Sequence, residues 1–281
     1  MASITLSGEE KHYIITGVED DFRNDGRSCE DYRRISVKTR VLSSTNGSAD
    51  VTLEGTHVIF GVKAEIGEPT PSHPTEGRIE FAVDCTANAS PIFEGRGGDD
   101  LALELSCALK RTFCTGALDL KSLGVIPGKA CWILHVDALV LECGGNLFDA
   151  LSIGVKAALH STRLPKLQVI GEGSEQDIEI SDDPYDTVPL DVSNVPVLVT
   201  LNKVGTRYVV DATAEEESCS ECQLLLSVNE KGRVCSVQKH GSGALNPDLI
   251  FEMMRVGQKI GKTVNDSLMR LLREENVNEM I

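Results

Sequence analysis

The chain has 281 residues, with 43 acidic and 27 basic side chains and a net charge of −16. This charge is unfavourable for a protein that binds nucleic acid by itself, because Lys and Arg supply most non-specific affinity for phosphates, so any RNA contact would be local or shared. The length most simply divides into two domains, although a single large α/β unit would also fit. Nine scattered cysteines predict reduced thiols in a nuclear or cytosolic compartment. No run approaches the roughly 20 apolar residues that cross a bilayer, so we expect a soluble protein without a membrane role.

The first half of the chain predicts one large sheet with three helices. Ser7 and Glu10 have capping-box spacing, which predicts a helix to about Gly17. A helix with apolar residues three or four apart begins at Asp99, and a helix of small residues runs from Asp149 to just before Pro165. Period-2 and apolar patterns predict five strands, the second and third forming a hairpin: 34–41, 48–53, 57–63, 78–86 and 131–141.

The second half repeats this order after an acidic stretch at 171–186, which we expect to be an extended connection. Four strands are predicted at 197–201, 208–212, 224–228 and 234–238, followed by a long helix over about 247–275. Strands grouped ahead of helices indicate an α+β fold with a duplicated sheet-plus-helix unit. The predicted divisions are an N-terminal helix and arm (1–30), a first domain (31–168), the acidic connection (169–190) and a second domain (191–281).

A glycine-rich strand-to-helix turn at 141–149 is the most informative segment. Two glycines bring backbone N–H groups and a helix N-terminus to a place where an anion could bind. Firm phosphate binding usually also needs a cation and hydroxyl donors, but Asn146, Leu147 and Phe148 follow the glycines. The segment therefore predicts the scaffold of a phosphate-using enzyme without its chemistry.

Candidate chemical groups elsewhere are weak. Cys219 and Cys222 have the spacing of half a zinc site, but no second pair follows, so we interpret them as packing cysteines and predict no metal site. Asp211 and Glu215–Glu217 follow a strand end where carboxylates could bind magnesium, but no partner histidine accompanies them. We therefore interpret these four as solvated loop charges.

Several cations could face a nucleic-acid backbone. They are Arg23, Arg27, Arg96, Lys110 and Arg111. An arginine presents a planar fork that suits phosphate oxygens. The ordinary alternative is a salt bridge to one of the abundant carboxylates, which we favour for any single arginine.

Taken together, these landmarks resemble the RNase PH family of phosphate-dependent exoribonucleases over nearly the whole chain. The resemblance rests on 23–27 with Tyr32 and Arg33, on 47–56, and on 209–217. The segments 144–150 and 182–186 resemble the non-catalytic branch, whose members belong to the ring of the RNA exosome. The resemblance implies two units with a ribosomal protein S5 domain 2-like fold.

The resemblance also implies which site residues are lost. Active members carry Gly-Gly-Thr-Arg where this chain has Gly144-Gly145-Asn146-Leu147, so leucine replaces the phosphate-binding arginine and 146–147 form a degenerate phosphate site. The family's catalytic aspartate aligns with Gln223, which cannot act as a carboxylate. Related subunits bind RNA through an arginine pair on the first-domain helix, of which Arg111 is kept and Cys107 replaces the other.

The implied function is a ring subunit without catalytic residues or cofactors, which helps to form the RNA channel in 3′–5′ RNA processing and degradation. Its implied partners are other RNase PH-like subunits, cap subunits with OB-fold and KH domains, exosome-associated nucleases and RNA in the shared channel. Its implied locations are the nucleus, nucleolus and cytoplasm. Arg111, with Arg96 and Lys110, would contact RNA. Two alternatives stay open: an active phosphorolytic exoribonuclease that uses Arg96, Arg111 and the acids near Asp211, and a metal-dependent hydrolase built on Asp211 and Glu215–Glu217.

Overall fold

A computed structural model describes residues 6–113, 117–171, 177–181, 183 and 185–278, and the side chains up to residue 275. Parts of the predicted acidic connection and of the 182–186 motif lie outside the described residues. The five α-helices of this part of the chain are α1 (Gly8–Glu19), α2 (Asp99–Phe113), α3 (Leu147–Ser161), α4 (Ala214–Cys219) and α5 (Pro247–Asn278). None of the described helices combines the length and the apolar character needed to cross a bilayer.

The first domain is built on a six-stranded sheet. Its strands are β1 (Ile35–Thr39), β2 (Gly47–Leu53), β3 (Thr56–Gly67), β4 (Arg78–Cys85), β5 (Gly124–Ile126) and β6 (Ala130–Glu142). The order is β1-β2-β3-β6-β4, with β5 also paired to β6, and only the β4–β6 pair is parallel. The five strands predicted from period-2 and apolar patterns are confirmed, including the β2–β3 hairpin.

The second domain is built on a four-stranded antiparallel sheet in the order β12-β11-β13-β14. The strands are β11 (Val197–Val204), β12 (Arg207–Val210), β13 (Cys222–Val228) and β14 (Val234–His240). All four were predicted, as was the long helix α5. The α+β class is therefore confirmed.

Helix α3 joins the two halves because it is buried on nearly every side. It packs against β2 and β3 on one side and β11 on the other. Small residues allow this close approach: a Cβ added to Gly154 would lie 1.9 Å from the ring of Phe60. Leu198 and Leu225 of the second sheet belong to the same apolar core as Phe60, so both domains share one core. Helix α5 covers the other face of the second sheet.

The N-terminal helix α1 packs on the second domain. The predicted capping box is present, since Glu10 N donates to Ser7 Oγ at 3.3 Å and Ser7 N donates to Glu10 Oε2 at 2.7 Å. The buried residues Ile14 and Val18 join an apolar cluster with residues of β11 and β12. The arm after α1 must therefore return from the second domain to β1 in the first.

Three regions differ from the sequence expectation, and the first is the short strand β5, which was not predicted. The acidic connection contains paired strands, because β8 (Leu167–Ile170) pairs with β9 (Asp177–Ile180), and β10 (Thr187–Pro189) pairs with β7 (Arg163–Pro165). Backbone pairing therefore outweighs the local charge repulsion. Helix α4 was not predicted, although Thr213 and Glu216 form a capping box at its start.

Candidate functional site: a closed anion position at the glycine turn

The glycine turn between β6 and α3 packs closely against the start of α4. Thr56 Oγ1 accepts a hydrogen bond from Gly144 N at 3.1 Å and donates one to Gly145 O at 2.7 Å. Ala214 N donates to Gly144 O at 3.0 Å. Gly145 has φ +97°, and a Cβ there would lie 2.5 Å from Ala214 N, so both the conformation and the contact require glycine. These contacts hold the turn backbone against Thr56 and the first residue of α4.

The chain's own carboxyl group takes the place of an external anion at the start of α3. Asn146 N donates to Glu217 Oε1 at 2.8 Å. Helix N-termini attract anions because their first N–H groups lack partners within the helix. Glu217 is buried, and burial raises its pKa to about 7. Leu147, the residue after Asn146, is buried in the apolar core.

Asn146 links the start of α3 to both domains. Its backbone is left-handed, with φ 55°, which Asn tolerates better than most residues. Its Nδ2 donates to Asp149 Oδ2 at 2.9 Å and to Asp211 Oδ1 at 2.7 Å. Asp149 also accepts bonds from Tyr32 and Thr200, yet burial raises its pKa to about 6. The two residues of the predicted degenerate phosphate site thus have structural contacts, Asn146 polar and Leu147 apolar.

Asp211 is the centre of a buried ionic network. Its Oδ2 accepts bonds from Arg33 N at 2.7 Å, Arg33 Nε at 3.0 Å and Arg27 Nη1 at 2.9 Å. Its Oδ1 accepts bonds from Arg33 Nη2 at 2.8 Å and from Asn146 Nδ2. Burial alone would raise the pKa of Asp211, but its bonds to Arg33 hold the pKa below the ordinary value. Arg33 also donates to Gly144 O and Gly145 O, which joins the network to the glycine turn.

A second ion pair fixes α4 to the arm. Arg23 donates from Nε to Glu216 Oε1 at 2.8 Å and from Nη2 to Oε2 at 2.6 Å, a bidentate pair. Arg23 is 1 % exposed, so this pair is shielded from water. The interpretation of the acids as solvated loop charges is therefore wrong for Asp211, Glu216 and Glu217, while Glu215 is exposed. Salt bridging, the ordinary alternative for the cations, is confirmed for Arg23 and Arg27.

The residues predicted to contact RNA are exposed but do not all lie together. Lys110 and Arg111 are near the C-terminal end of α2, whereas Arg96 precedes its N-terminal end. The helix rises about 18 Å between Asp99 and Arg111, at 1.5 Å per residue. The structure therefore separates Arg96 from Arg111, and neither arginine belongs to the network around Asp211.

Gln223 lies on β13, opposite Asn202 of β11 and His240 of β14. It is 1 % exposed, and its Oε1 has no hydrogen-bond partner among the described residues. The assignment of the catalytic aspartate's position to Gln223 stays a prediction. The carboxyl group that the structure brings to the glycine turn belongs to Glu217, and sequence reasoning missed it because α4 was not predicted.

The surroundings of the turn are unfavourable to a phosphate or a metal ion. A cavity of about 370 Å³ beside Gly144 has Asp25, Glu215 and Glu216 among its lining residues. Glu215 is exposed and would repel an anion, whereas Asp25 and Glu216 are paired with Arg27 and Arg23. Cys219 and Cys222 are buried, and the described part of the chain contains no group of three or more His, Cys, Asp or Glu residues that could hold a metal ion.

Two family models match the chain, covering both halves of the fold. They describe domain 1 and domain 2 of the 3′ exoribonuclease family, RNase PH, and match residues 31–165 and 194–260. The chain belongs to the RNase PH family. The first match contains the glycine turn, and the second contains Asp211 and α4, so the closed anion position is formed by parts of both family domains.

Named relatives agree with this membership. The chain is 38 % identical to the exosome complex component Rrp42 of Thermococcus kodakarensis, over 92 % of this chain and 94 % of that protein. It is 36 % identical to a Dictyostelium discoideum protein described as an exosome complex exonuclease, RRP42, over 96 % of this chain and 98 % of that protein. Among solved structures, an archaeal exosome core chain superposes with a TM-score of 0.79 at 28 % identity, covering 93 % of this chain and 96 % of that one. A chain of the Archaeoglobus fulgidus exosome with RNA bound to the active site superposes with a TM-score of 0.78 at 29 % identity, covering 92 % and 97 %.

Proposed function

We propose that the chain is a non-catalytic structural subunit of an RNase PH-like ring in the RNA exosome core. In this role it forms part of the channel wall through which RNA passes during 3′–5′ processing and degradation. The observation that carries the proposal is the hydrogen bond from Asn146 N to Glu217 Oε1. The N–H group that opens α3 already has an acceptor within the chain.

Two physical effects weaken phosphate binding at this position. An incoming phosphate would have to displace the Glu217 carboxyl group and, when that group is ionised, would be repelled by it. The arginine that active family members carry at this position, which could offset the repulsion, is replaced by Leu147, and Leu147 is packed in the core. A hydrogen bond to a charged group typically contributes roughly 1.5 to 3 kcal/mol. The absence of such a bond from an arginine to phosphate at position 147 therefore favours a subunit that does not use phosphate as a substrate.

The two enzymatic alternatives receive less support. A phosphorolytic site needs its arginines to converge, but Arg96 and Arg111 lie near opposite ends of α2. A metal-dependent site needs free carboxylate oxygens. Both oxygens of Asp211 are occupied by Arg33, Arg27 and Asn146, so a metal ion would have to replace several buried hydrogen bonds.

The proposal extends to partners that the family's ring members share. Other RNase PH-like subunits would flank the chain, with OB-fold and KH cap subunits, exosome-associated nucleases and RNA as further partners. The channel would contact the RNA backbone, with Arg111 as the main contribution of this subunit and Lys110 and Arg96 as lesser ones. A ring with this role would work in the nucleus, nucleolus and cytoplasm, and imaging of a fluorescent fusion tests these locations.

The decisive experiment is reconstitution of the chain with RNase PH-like partners, followed by photo-crosslinking of RNA bound in the ring. We expect assembly into a ring and a reduced crosslink to this subunit with Arg111→Ala. Lys121→Ala, at an exposed first-domain lysine outside α2, is the control and should leave the crosslink unchanged. A chain that stays solitary with all ring partners present would contradict the proposal.

A further inference from the structure

A line of cations runs along the outer surface of α5. Successive residues of an α-helix are about 100° apart, so spacings of 3, 4, 7 and 11 residues return to nearly the same direction. The charged residues at these spacings fall within a sector of about 80°. They are Arg255, Lys259, Lys262, Asp266, Arg270 and Arg273. We call this set the α5 stripe, and it extends about 27 Å at 1.5 Å per residue.

The stripe is exposed along its whole length. Within the described part of the chain, Arg255, Lys259 and Lys262 form no ion pair. Arg273 lies 3.6 Å from Glu230, in a pair whose arginine side chain is 70 % exposed. Such exposed pairs contribute little and exchange readily with other anions. The cations are therefore available to an external partner.

The fold does not require these cations. The inner side of α5 holds the helix in place through apolar residues such as Met253 and Leu272, which are buried. A polar outer face could carry any mixture of charges. In a chain with a net charge of −16, a face with five cations against two carboxylates, Asp266 and, at the N-terminal end, Glu252, departs from the surrounding surface. The loop between β13 and β14 adds two exposed cations close to Lys262, namely Lys231 and Arg233.

An aromatic side chain stands at the N-terminal end of the stripe. Phe251 is 67 % exposed and precedes Arg255 by four residues, so the two side chains are neighbours on the helix surface. An exposed ring beside a row of cations suits single-stranded nucleic acid, because a base can stack on the ring while the cations follow the phosphates. A protein partner fits less well, since stable protein interfaces need a buried apolar centre and the stripe itself has none.

We propose that the α5 stripe, together with Phe251, binds single-stranded RNA on the outer surface of the second domain. Most of this site lies on the far side of the second sheet from the glycine turn, because the N-terminal part of α5, around Met253, packs on the face opposite α3. Near its C-terminal end, α5 joins the core that contains α3 through Leu268 and Leu272. It does not depend on the proposed ring function, since its residues belong to one helix of this chain. RNA that had not yet entered a channel, or had left it, could be held there.

The test measures binding of a fluorescently labelled 20-nucleotide oligouridylate to the full chain by anisotropy, over a range of salt concentrations. The test variant is Arg255→Gln/Lys259→Gln/Lys262→Gln. The matched control is Lys38→Gln/Lys63→Gln/Lys121→Gln, which removes the same charge from exposed positions of the first domain. Circular dichroism melting shows whether each variant is folded.

The expected loss follows from counterion release. Each phosphate contact to a single strand contributes about 0.7 to the slope of log K against log salt concentration. Loss of three contacts should reduce the slope by about 2 and weaken binding about 100-fold at 0.1 M salt, whereas the control should change binding less than about 3-fold. Phe251→Ala should weaken binding roughly 5- to 100-fold without changing the slope, because it removes stacking and no charge.

Three results would overturn the proposal. An equal loss in both triple variants would mean that net charge alone governs binding. Unchanged RNA binding in the stripe variant would exclude the site. In the third result, polyglutamate at equal charge concentration displaces the RNA, and Phe251→Ala does not change RNA binding. These two observations together would assign the stripe to an acidic protein segment instead. None of these results bears on ring assembly, so the two proposals fail separately.

Discussion

Two groups of cations in this chain have the same chemistry and opposite surroundings. Arg23, Arg27 and Arg33 in the arm are largely buried, and each is paired with a carboxylate. The cations of the α5 stripe are exposed and mostly unpaired within the described residues. Residue type alone therefore does not decide whether an arginine stabilises the fold or is available to bind a partner. Burial of the arginine together with its carboxylate decides it, since the Arg23–Glu216 pair is buried whereas the Arg273–Glu230 pair is exposed at its arginine.

The buried arginines connect the arm to the glycine turn and to the second domain. Arg33 contacts Asp211 of the second domain and the carbonyl groups of both turn glycines. A buried guanidinium is stable only when its donors are satisfied, and Asp211 satisfies several of them at once. Removal of the carboxylate should therefore be costly. Removal of a stripe cation should cost the fold almost nothing.

The largest expected effect belongs to Asp211→Ala. It leaves Arg33 buried without its carboxylate, and breaking one partner of a buried pair typically costs about 3 to 5 kcal/mol. Urea unfolding followed by circular dichroism measures the loss. The control is Asp25→Ala, which removes a partly exposed carboxylate from Arg27 and should cost less than about 1 kcal/mol. Equal losses for the two variants would break the distinction between buried and exposed pairs.

The next effect concerns the pH dependence of stability through Glu217. Its folded pKa of about 7 exceeds its ordinary value of 4.5. Between these values the folded chain keeps a proton that the unfolded chain releases, so the free energy of unfolding falls as the pH rises. Glu217→Gln removes this decline and keeps an oxygen that can accept from Asn146 N.

Between pH 5 and pH 8, the free energy of unfolding of the variant should increase relative to that of the wild type by at most about 3 kcal/mol, at 1.36 kcal/mol per pKa unit. Asp149 and Asp211 titrate in both proteins and largely cancel in the difference. Urea unfolding at several pH values measures the gain, and Glu215→Gln, at the exposed neighbour, should show none. If the free energy of unfolding changed with pH in the same way for Glu217→Gln and the wild type, burial would not raise the pKa of Glu217 and the prediction would be contradicted.

The smallest expected effect is that of the stripe on stability. The triple variant Arg255→Gln/Lys259→Gln/Lys262→Gln should change the free energy of unfolding by no more than about 0.5 kcal/mol per site, as is usual for surface positions. Thermal and urea unfolding measure it. A loss of several kcal/mol would mean that the stripe belongs to the fold, and the comparison between the two groups of cations would fail.

Local patterns predicted most of the fold. Ser7 with Glu10 predicted the start of α1, and alternation predicted the strands of both sheets, because burial of one face imposes those periods. The small strands β5 and β7 to β10 were missed because they are short, and β7 to β10 also lie in or beside charged sequence. Helix α4 was also missed, although Thr213 and Glu216 have capping-box spacing, a signal that was available.

The site was predictable only in part. The apolar residue Leu147 after the two glycines could be read from the sequence, because the signal lies within one segment. The pairing of Arg33 with Asp211 joins residues 178 positions apart, and no local pattern encodes such a contact. For the same reason, Glu217 could not be assigned to the start of α3 from the sequence. Its position depends on how the second sheet packs on that helix.

The most direct test of the central claim measures whether the purified chain, alone, shortens RNA from the 3′ end with inorganic phosphate. The claim is that Glu217 and Leu147 close the anion position at the glycine turn. The account predicts no nucleoside diphosphates and no phosphate-dependent shortening at any phosphate concentration. Phosphate-dependent release of nucleoside diphosphates, abolished by substitution of residues at the turn, would contradict it.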